Sequence, residues 1–264
     1  MAAASQRVRR EPPGFLEAAV ASTERRTPYL MRVTLQGPAL AGFEPPLPAG
    51  SVRVLLPDAP GEPLVLPVWN GNAFFHVDGR RPVIRTLTPL RHDAVSGELD
   101  IDVVLHGEGP LSEWAATAGP GAPAAISGPG RGYAVADGPT TYLLAGDESA
   151  IPALGQLVEA LPATARATVI VEVGQPDARL PFVDRSNVDV HWVERPDGSV
   201  PGTALVPAVT GAELASDTRV WVAGEAAALQ RIRHHLFSDL GISRAMATVR
   251  GYWKQGRAMH DSEG

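Results

Sequence analysis

The hydrophobic period changes once along the chain, at Asp137-Gly138-Pro139. Before that point apolar residues fall in short, alternating runs cut apart by glycine and proline. After it they fall in continuous runs, each followed by helical spacing. Alternation predicts strands with one face buried, and unbroken apolar runs predict strands buried on both faces. The chain is therefore expected to hold two units, 1–137 and 138–264.

In the first unit Tyr29 to Leu35, Ser51 to Leu56, Leu64 to Trp69, Val83 to Thr88, Glu98 to His106 and Ala122 to Ser127 read as strands. Gly37 to Gly50 reads as a proline-rich loop. Six short strands between such turns suit a small antiparallel β-barrel. Met1 to Pro13, polar and basic with a Pro-Pro stop, is expected to be a mobile arm. The 27 glycines and 25 prolines are scattered as punctuation, so they mark turns rather than disorder.

In the second unit Thr140 to Ala145, Ala167 to Val173, Val188 to Val193 and Arg219 to Ala223 are apolar strands. Ile151, Leu154 and Val158 put a helix over Ser149 to Ala160, and Leu229, Ile232, Leu236 and Leu240 give a second helix one apolar face. Ala247 to Trp253 reads as a last strand. Strand, turn and helix in repetition predict a Rossmann-like parallel α/β sheet.

The chemistry concentrates in Arg85 to Trp114. Arg85-Thr86-Leu87-Thr88 sets a cation and hydroxyls at one strand end. From Glu98 to His106, Leu99, Ile101, Val103 and Leu105 share one face, and Asp100, Asp102 and Val104 the other. Gly107-Glu108-Gly109-Pro110-Leu111-Ser112 then turns into a short helix, Leu111 to Ala118. Glycine-freed N–H groups at a helix start make an anion site, so cation, hydroxyls and N–H groups together suggest a cradle for a flavin dinucleotide. Arg85 suits a pyrophosphate, which a planar guanidinium binds bidentately, and Thr88 the reactive edge of the flavin ring. His106 either touches the flavin or adenine or caps the turn. Trp114 reads as core.

Gly146-Asp147-Glu148-Ser149 follows a buried strand and opens a helix, where open α/β sheets bind ligands. It is not a G-x-G-x-x-G fingerprint, and its acids also suit a helix N-cap. Gly224-Glu225 repeats the arrangement.

A net charge of −6 disfavours nucleic acid and membrane-surface partners. No apolar run approaches the roughly 20 residues that span a bilayer, and the first residues lack the apolar segment of a secretory signal, so a cytoplasmic protein without membrane insertion is expected. Absence of cysteine excludes disulfides and thiolate metal sites. His234-His235 point about 100° apart on a helix and cannot chelate together, no H-E-x-x-H occurs, and no metal site is expected. No G-x-S-x-G elbow points to a hydrolase.

The order R-x-x-T at Arg85, GELDIDVVLHG from Gly97, GP-x-S-x-W-A from Gly109, then PG and GPG, resembles the siderophore-interacting protein family, FAD-dependent ferric-siderophore reductases related to ferredoxin-NADP reductases. The similarity runs from about Tyr29 to Arg257 and takes in GDESAIP from Gly146 and GYWKQG from Gly251. It implies FAD held by Arg85, Thr86, Leu87, Thr88, Asp102, Val104, His106, Gly109, Pro110, Leu111 and Ser112. It implies a nicotinamide dinucleotide at Gly146, Asp147, Glu148 and Ser149. It further implies an anionic ferric siderophore at a basic triad, Arg53, Arg131 and Lys254, the last being the chain's single lysine. One departure stands out: Leu87 replaces the aromatic residue that usually covers part of the flavin.

By the resemblance, hydride passes from NADH or NADPH to flavin, and single electrons pass on to ferric iron, with no side-chain acid or base. A reduced ferredoxin is the other donor class left open, and Glu172 is the candidate acid for selecting NADH. Two alternatives remain at this stage: a general flavin reductase or electron transferase, and a non-catalytic siderophore-binding module.

Overall fold

The computed structural model describes residues 12–106, 109–138 and 140–256; the expected mobile arm lies mostly outside them. Nine strands form first: β1 (Leu16–Thr27), β2 (Leu30–Gln36), β3 (Val52–Leu56), β4 (Val68–Trp69), β5 (Phe74–Phe75), β6 (Val83–Leu87), β7 (Pro89–Asp93), β8 (Glu98–Val104) and β9 (Pro123–Ser127). Helix α1 (Pro110–Thr117) sits between the last two. Seven of these strands make one antiparallel sheet in the order β6-β3-β9-β1-β2-β8-β7. Its edges β6 and β7 are consecutive in the chain but share no ladder, so the sheet curls without closing.

The sheet has one strand more than the expected barrel, and two of its members were not expected. β1 pairs with β2 and β9, yet Ser22 to Arg26 are exposed, so its outer half carries no apolar period. β7 (PLRHD) likewise has too few apolar positions to read as a strand. Conversely, of Leu64 to Trp69 only Val68 and Trp69 are paired, in a separate hairpin with Phe74 and Phe75. The core under the large sheet gathers Val33, Leu35, Val54, Leu99, Ile101, Val103 and Ile126, closed at one end by Trp114 of α1.

The second sheet is wholly parallel: β10 (Thr141–Asp147), β11 (Arg166–Val173), β12 (Val188–Glu194), β13 (Arg219–Glu225) and β14 (Ala247–Trp253), in the order β12-β11-β10-β13-β14. Helix α2 (Ile151–Ala160) covers one face, packing Leu154 and Leu157 on Leu144, Val169 and Trp221. Helices α3 (Leu205–Thr210) and α4 (Ala226–His234) cover the other, with Leu205 and Ile232 on Leu143, Ile170 and Val222. The strand order reverses direction between β10 and β13, which makes the crevice at their C-terminal ends the ligand position of a doubly wound sheet. The last helix does not run regularly to Leu240. His235–Asp239 form a π-turn, with Leu240 N–H bonded to the His235 carbonyl, and the extra residue rotates Leu240 off the apolar stripe into solvent while Leu236 stays buried. No helix among the described residues is long and apolar enough to cross a membrane.

Two side chains tie the sheets together. Gln156 of α2 accepts from the Ala49 N–H at 3.0 Å and donates to the Pro89 carbonyl at 2.7 Å. Arg250 of β14 donates to the carbonyls of Ala49, Arg131 and Gly132 at 3.0–3.1 Å.

Candidate functional site

Arg85 stands opposite Val54, so it points to the core side of the sheet, and Thr86 stands opposite Arg53 on the other side. The Arg85 guanidinium is half-buried, and among the described residues its one hydrogen bond is to the Ile84 carbonyl, at 2.8 Å. Burial pulls its pKa down, and no carboxylate of the described residues lies within 4 Å to offset this. A desolvated cation without a counter-charge is a place for an anion. Thr86 is exposed, Leu87 is half-buried against the sheet's core, and Thr88 is buried at the β6–β7 corner, next to the Pro89 carbonyl held by Gln156.

At the end of β8, Val104 is half-buried and His106 exposed. Gly107 and Glu108 lie outside the described residues. Gly109 adopts φ 91°, a backbone that suits glycine alone, and a Cβ there would lie 3.8 Å from His106 Cε1. Pro110 opens α1, no side chain caps its first turn, and Ser112 is buried within it. The first-turn N–H groups of a helix have no intrahelical acceptors, so this start can receive an anionic oxygen. Asp102 has a partner of its own: its carboxylate takes a bidentate grip from Arg32, at 2.8 and 2.9 Å. Its side chain is thereby turned to β2, and only its backbone is left to the β8 edge.

The end of β8 also approaches the 3-10 turn Glu148–Ala150, which brings the flavin-type corner beside the crevice of the parallel sheet. There the acids of GDES turn inward. Asp147 is buried, and its carboxylate accepts from the Ser149 N–H and hydroxyl, the Glu225 N–H and the Trp253 indole N–H. Desolvation pushes its pKa up to about 6 despite these four donors. Glu148 accepts from the Gly174 N–H at 2.6 Å. Gly146 has no room for a side chain, since a Cβ would lie 2.4 Å from Ala150. The GDES acids thus brace the turn from inside, which removes the repulsion they would otherwise present to a phosphate.

The structure corrects the reading of Glu172. It is 1% exposed and accepts from the backbone N–H groups of Gly202, Ala204 and Leu205 at 2.7–2.8 Å, with Arg195 at 3.8 Å. It anchors the loop that opens α3 and cannot meet a ribose. Sequence inspection also missed Arg32, Arg250 and Gln156; their partners are 70 or more residues away for two of them and 67 or more for the third, beyond any local signal.

Arg53, Arg131 and Lys254 have no carboxylate within 4 Å among the described residues. One chain of contacts links their segments: Gly130 N–H binds the Ser51 carbonyl, two residues before Arg53, and the Arg131 carbonyl receives Arg250, four residues before Lys254. Arg131 and Lys254 are exposed and Arg53 half-buried. A cavity of about 450 Å³ lined by Thr168, His191, Glu213 and Thr218 lies instead at the N-terminal ends of the parallel strands, remote from all of these.

Comparison with known proteins agrees with this layout. A family profile described as siderophore-interacting FAD-binding domain matches residues 19–133, and one described as siderophore-interacting protein matches residues 139–256. The ferric vibriobactin reductase ViuB of Vibrio cholerae is 32% identical over 234 residues, covering 86% of this chain and 85% of ViuB. The crystal structure of a siderophore utilization protein from T. fusca superposes with a TM-score of 0.83 at 32% identity, covering 95% of this chain and 97% of that one. A ferredoxin NADP+ reductase from Neisseria gonorrhoeae, with bound FAD and NADP, shares the fold at 14% identity and a TM-score of 0.66, covering 91% and 99% of the two chains. With both halves matched in order and across nearly their full length, the chain belongs to the siderophore-interacting protein family.

Proposed function

We propose that the protein is an FAD-dependent ferric-siderophore reductase that draws its electrons from NADH or NADPH and acts in the cytoplasm. The observation that carries the reading is the half-buried guanidinium of Arg85, with no carboxylate of the described residues within 4 Å, in the same half of the chain as the glycine-capped start of α1. In this reading the cation and the helix N-terminus share the binding of one pyrophosphate. Thr86, Leu87 and Thr88 line the ring system, the β8 edge from Asp102 to Val104 flanks it, and His106 with Gly109 to Ser112 closes the phosphate end. In this reading residues 1–137 hold the flavin and 138–264 admit the donor.

The donor enters the crevice between β10 and β13, where the absent side chain of Gly146 permits close approach and Asp147, Glu148 and Ser149 hold the turn. FAD, when bound, links a two-electron donor to a one-electron acceptor. Arg53, Arg131 and Lys254 draw an anionic ferric chelate to the rim of a protein of net charge −6. Ferrous iron binds hard oxygen ligands more weakly than ferric iron, so reduction releases it. The similarity to a ferric vibriobactin reductase supports the acceptor class.

The test is a visible absorption spectrum before and after incubation with FAD and gel filtration, followed by ferric-chelate reduction with NADH, NADPH and a reduced ferredoxin. Flavin bands should survive filtration, and Arg85→Ala should weaken FAD binding by about tenfold or more, the scale of one charge-assisted pair. A protein that refuses FAD sinks the mechanism.

A further inference from the structure

Asp147 and Glu225 end β10 and β13, and both are buried, at 6% and 4% exposure. Each braces the backbone with one oxygen. Asp147 Oδ1 takes the Ser149 N–H and hydroxyl, and Glu225 Oε2 takes the N–H groups of Ala227 and Ala228 that open α4. A helix cap needs no more than that.

The second oxygens turn elsewhere. Asp147 Oδ2 accepts the Trp253 indole N–H at 2.8 Å together with the Glu225 N–H, and Glu225 Oε1 accepts the Gln255 N–H at 3.3 Å. Gly224 makes this reach feasible, since a Cβ there would lie 2.6 Å from Asp147 Oδ2. The residues held are the two neighbours of Lys254. They lie at the end of β14, an edge strand with a ladder on one side only and a register shift where Gly224 gives way to Glu225. An edge-strand end of this kind frays unless something outside the ladder holds it.

We propose that Asp147 and Glu225 are positioning residues for Lys254, clamping Trp253 and Gln255 so that the exposed ammonium between them is presented to an anionic ferric chelate. This rests on the reading of Lys254 as a substrate contact. It gives the inward-facing acids a task beyond bracing the turn, and it joins the donor crevice to the acceptor cation through a single carboxylate.

The test is a double-mutant cycle in equilibrium binding, which needs no turnover. Calorimetric titration of the FAD-loaded protein with ferric tris(2,3-dihydroxybenzoate) compares the parent, Trp253→Phe, Lys254→Ala and the double variant, with melting temperatures as a check on folding. Trp253→Phe keeps the ring and deletes the indole donor; it should weaken binding about fivefold, and the double variant should be no weaker than Lys254→Ala alone. In the flavin-free protein, the Trp253 indole N–H should exchange slowly with solvent, and quickly in Asp147→Asn. Additive losses, or a Trp253→Phe variant that binds like the parent while Lys254→Ala does not, overturn the clamp and leave Lys254 as a substrate contact. Parent-like binding by Lys254→Ala overturns the clamp together with that contact. Normal binding and a normal cycle without any chelate reduction sink the reductase reading and leave the clamp standing.

Discussion

The two sheets bury carboxylates in opposite ways. In the antiparallel sheet Asp102 is gripped by Arg32, and Asp100 is held by Arg91 and the Thr34 hydroxyl. In the parallel sheet Asp147, Glu172 and Glu225 are held by backbone N–H groups, a hydroxyl and an indole, with no cation among the described residues closer than Arg195 at 3.8 Å from Glu172. The cause is position along the strand. Mid-strand N–H groups are taken by the ladders, so Asp100 and Asp102 can be satisfied only by side chains. Strand ends open into turns and helix starts whose N–H groups are unclaimed, and an acid there can be buried without a cation. The first mode ties up arginines on the outer face of the sheet. The second leaves the cations at the rim unpaired.

This contrast can be broken or sharpened by substitution. The largest effect is expected at Glu172. Glu172→Ala strips the acceptor from two buried N–H groups and one half-buried one, at about 1–3 kcal/mol each when buried, so about 4 kcal/mol in all should vanish from the unfolding free energy in urea. A loss under about 1 kcal/mol would show that water replaces the acid, and the backbone-held mode would be no stronger than a surface contact. Arg32→Ala should cost about 2–3 kcal/mol, just below the range of about 3–5 kcal/mol for a fully buried pair because Arg32 is itself a quarter exposed. The double variant Arg32→Ala/Asp102→Ala should recover much of it, since the penalty lies in the orphaned charge.

Asp147 sharpens the comparison through pH. Its folded pKa, about 6, lies above the ordinary 3.8, so the folded state holds the proton more tightly than the unfolded one. Stability from the neutral form is complete below pH 3.8 and is lost as pH rises through 6. Asp147→Asn does not titrate, so its deficit relative to the parent should shrink by about 2–3 kcal/mol between pH 4 and pH 7. A deficit that grows over that interval would mean the four donors outweigh desolvation. The smallest effect is expected at the surface: Arg80→Ala, which removes pairs to Asp58 and Asp78, should leave the melting temperature unchanged within error.

The parallel half was the more legible in sequence, because a strand buried on both faces must be apolar throughout and its breaks must be glycine-rich. Each expected strand there forms within one or two residues of its predicted ends. β1 and β7 escaped because polar residues at their exposed positions erase the period, although β7 pairs locally with β8; only the β1–β9 ladder joins segments far apart in the chain. For the candidate site, the local pattern located Arg85 on a strand, Gly109 at a positive-φ turn and the helix start directly after it. It did not reveal where carboxylates point. GDES reads equally as a cap or as a ligand loop until Trp253 arrives from 106 residues away, and Glu172 reads as an exposed strand end until the 202–205 loop closes over it.

The joint between the two halves has a consequence for how such a protein can diversify. Arg250 recognises Arg131 through its carbonyl alone, and the Arg131 side chain remains exposed. The mechanical role of position 131 is thus written in a main-chain carbonyl that every residue presents alike. Its side chain can be exchanged for another charge or shape without loosening the joint, so if this rim receives the chelate as proposed, its preference can drift from one lineage to the next while the geometry between the halves is inherited intact.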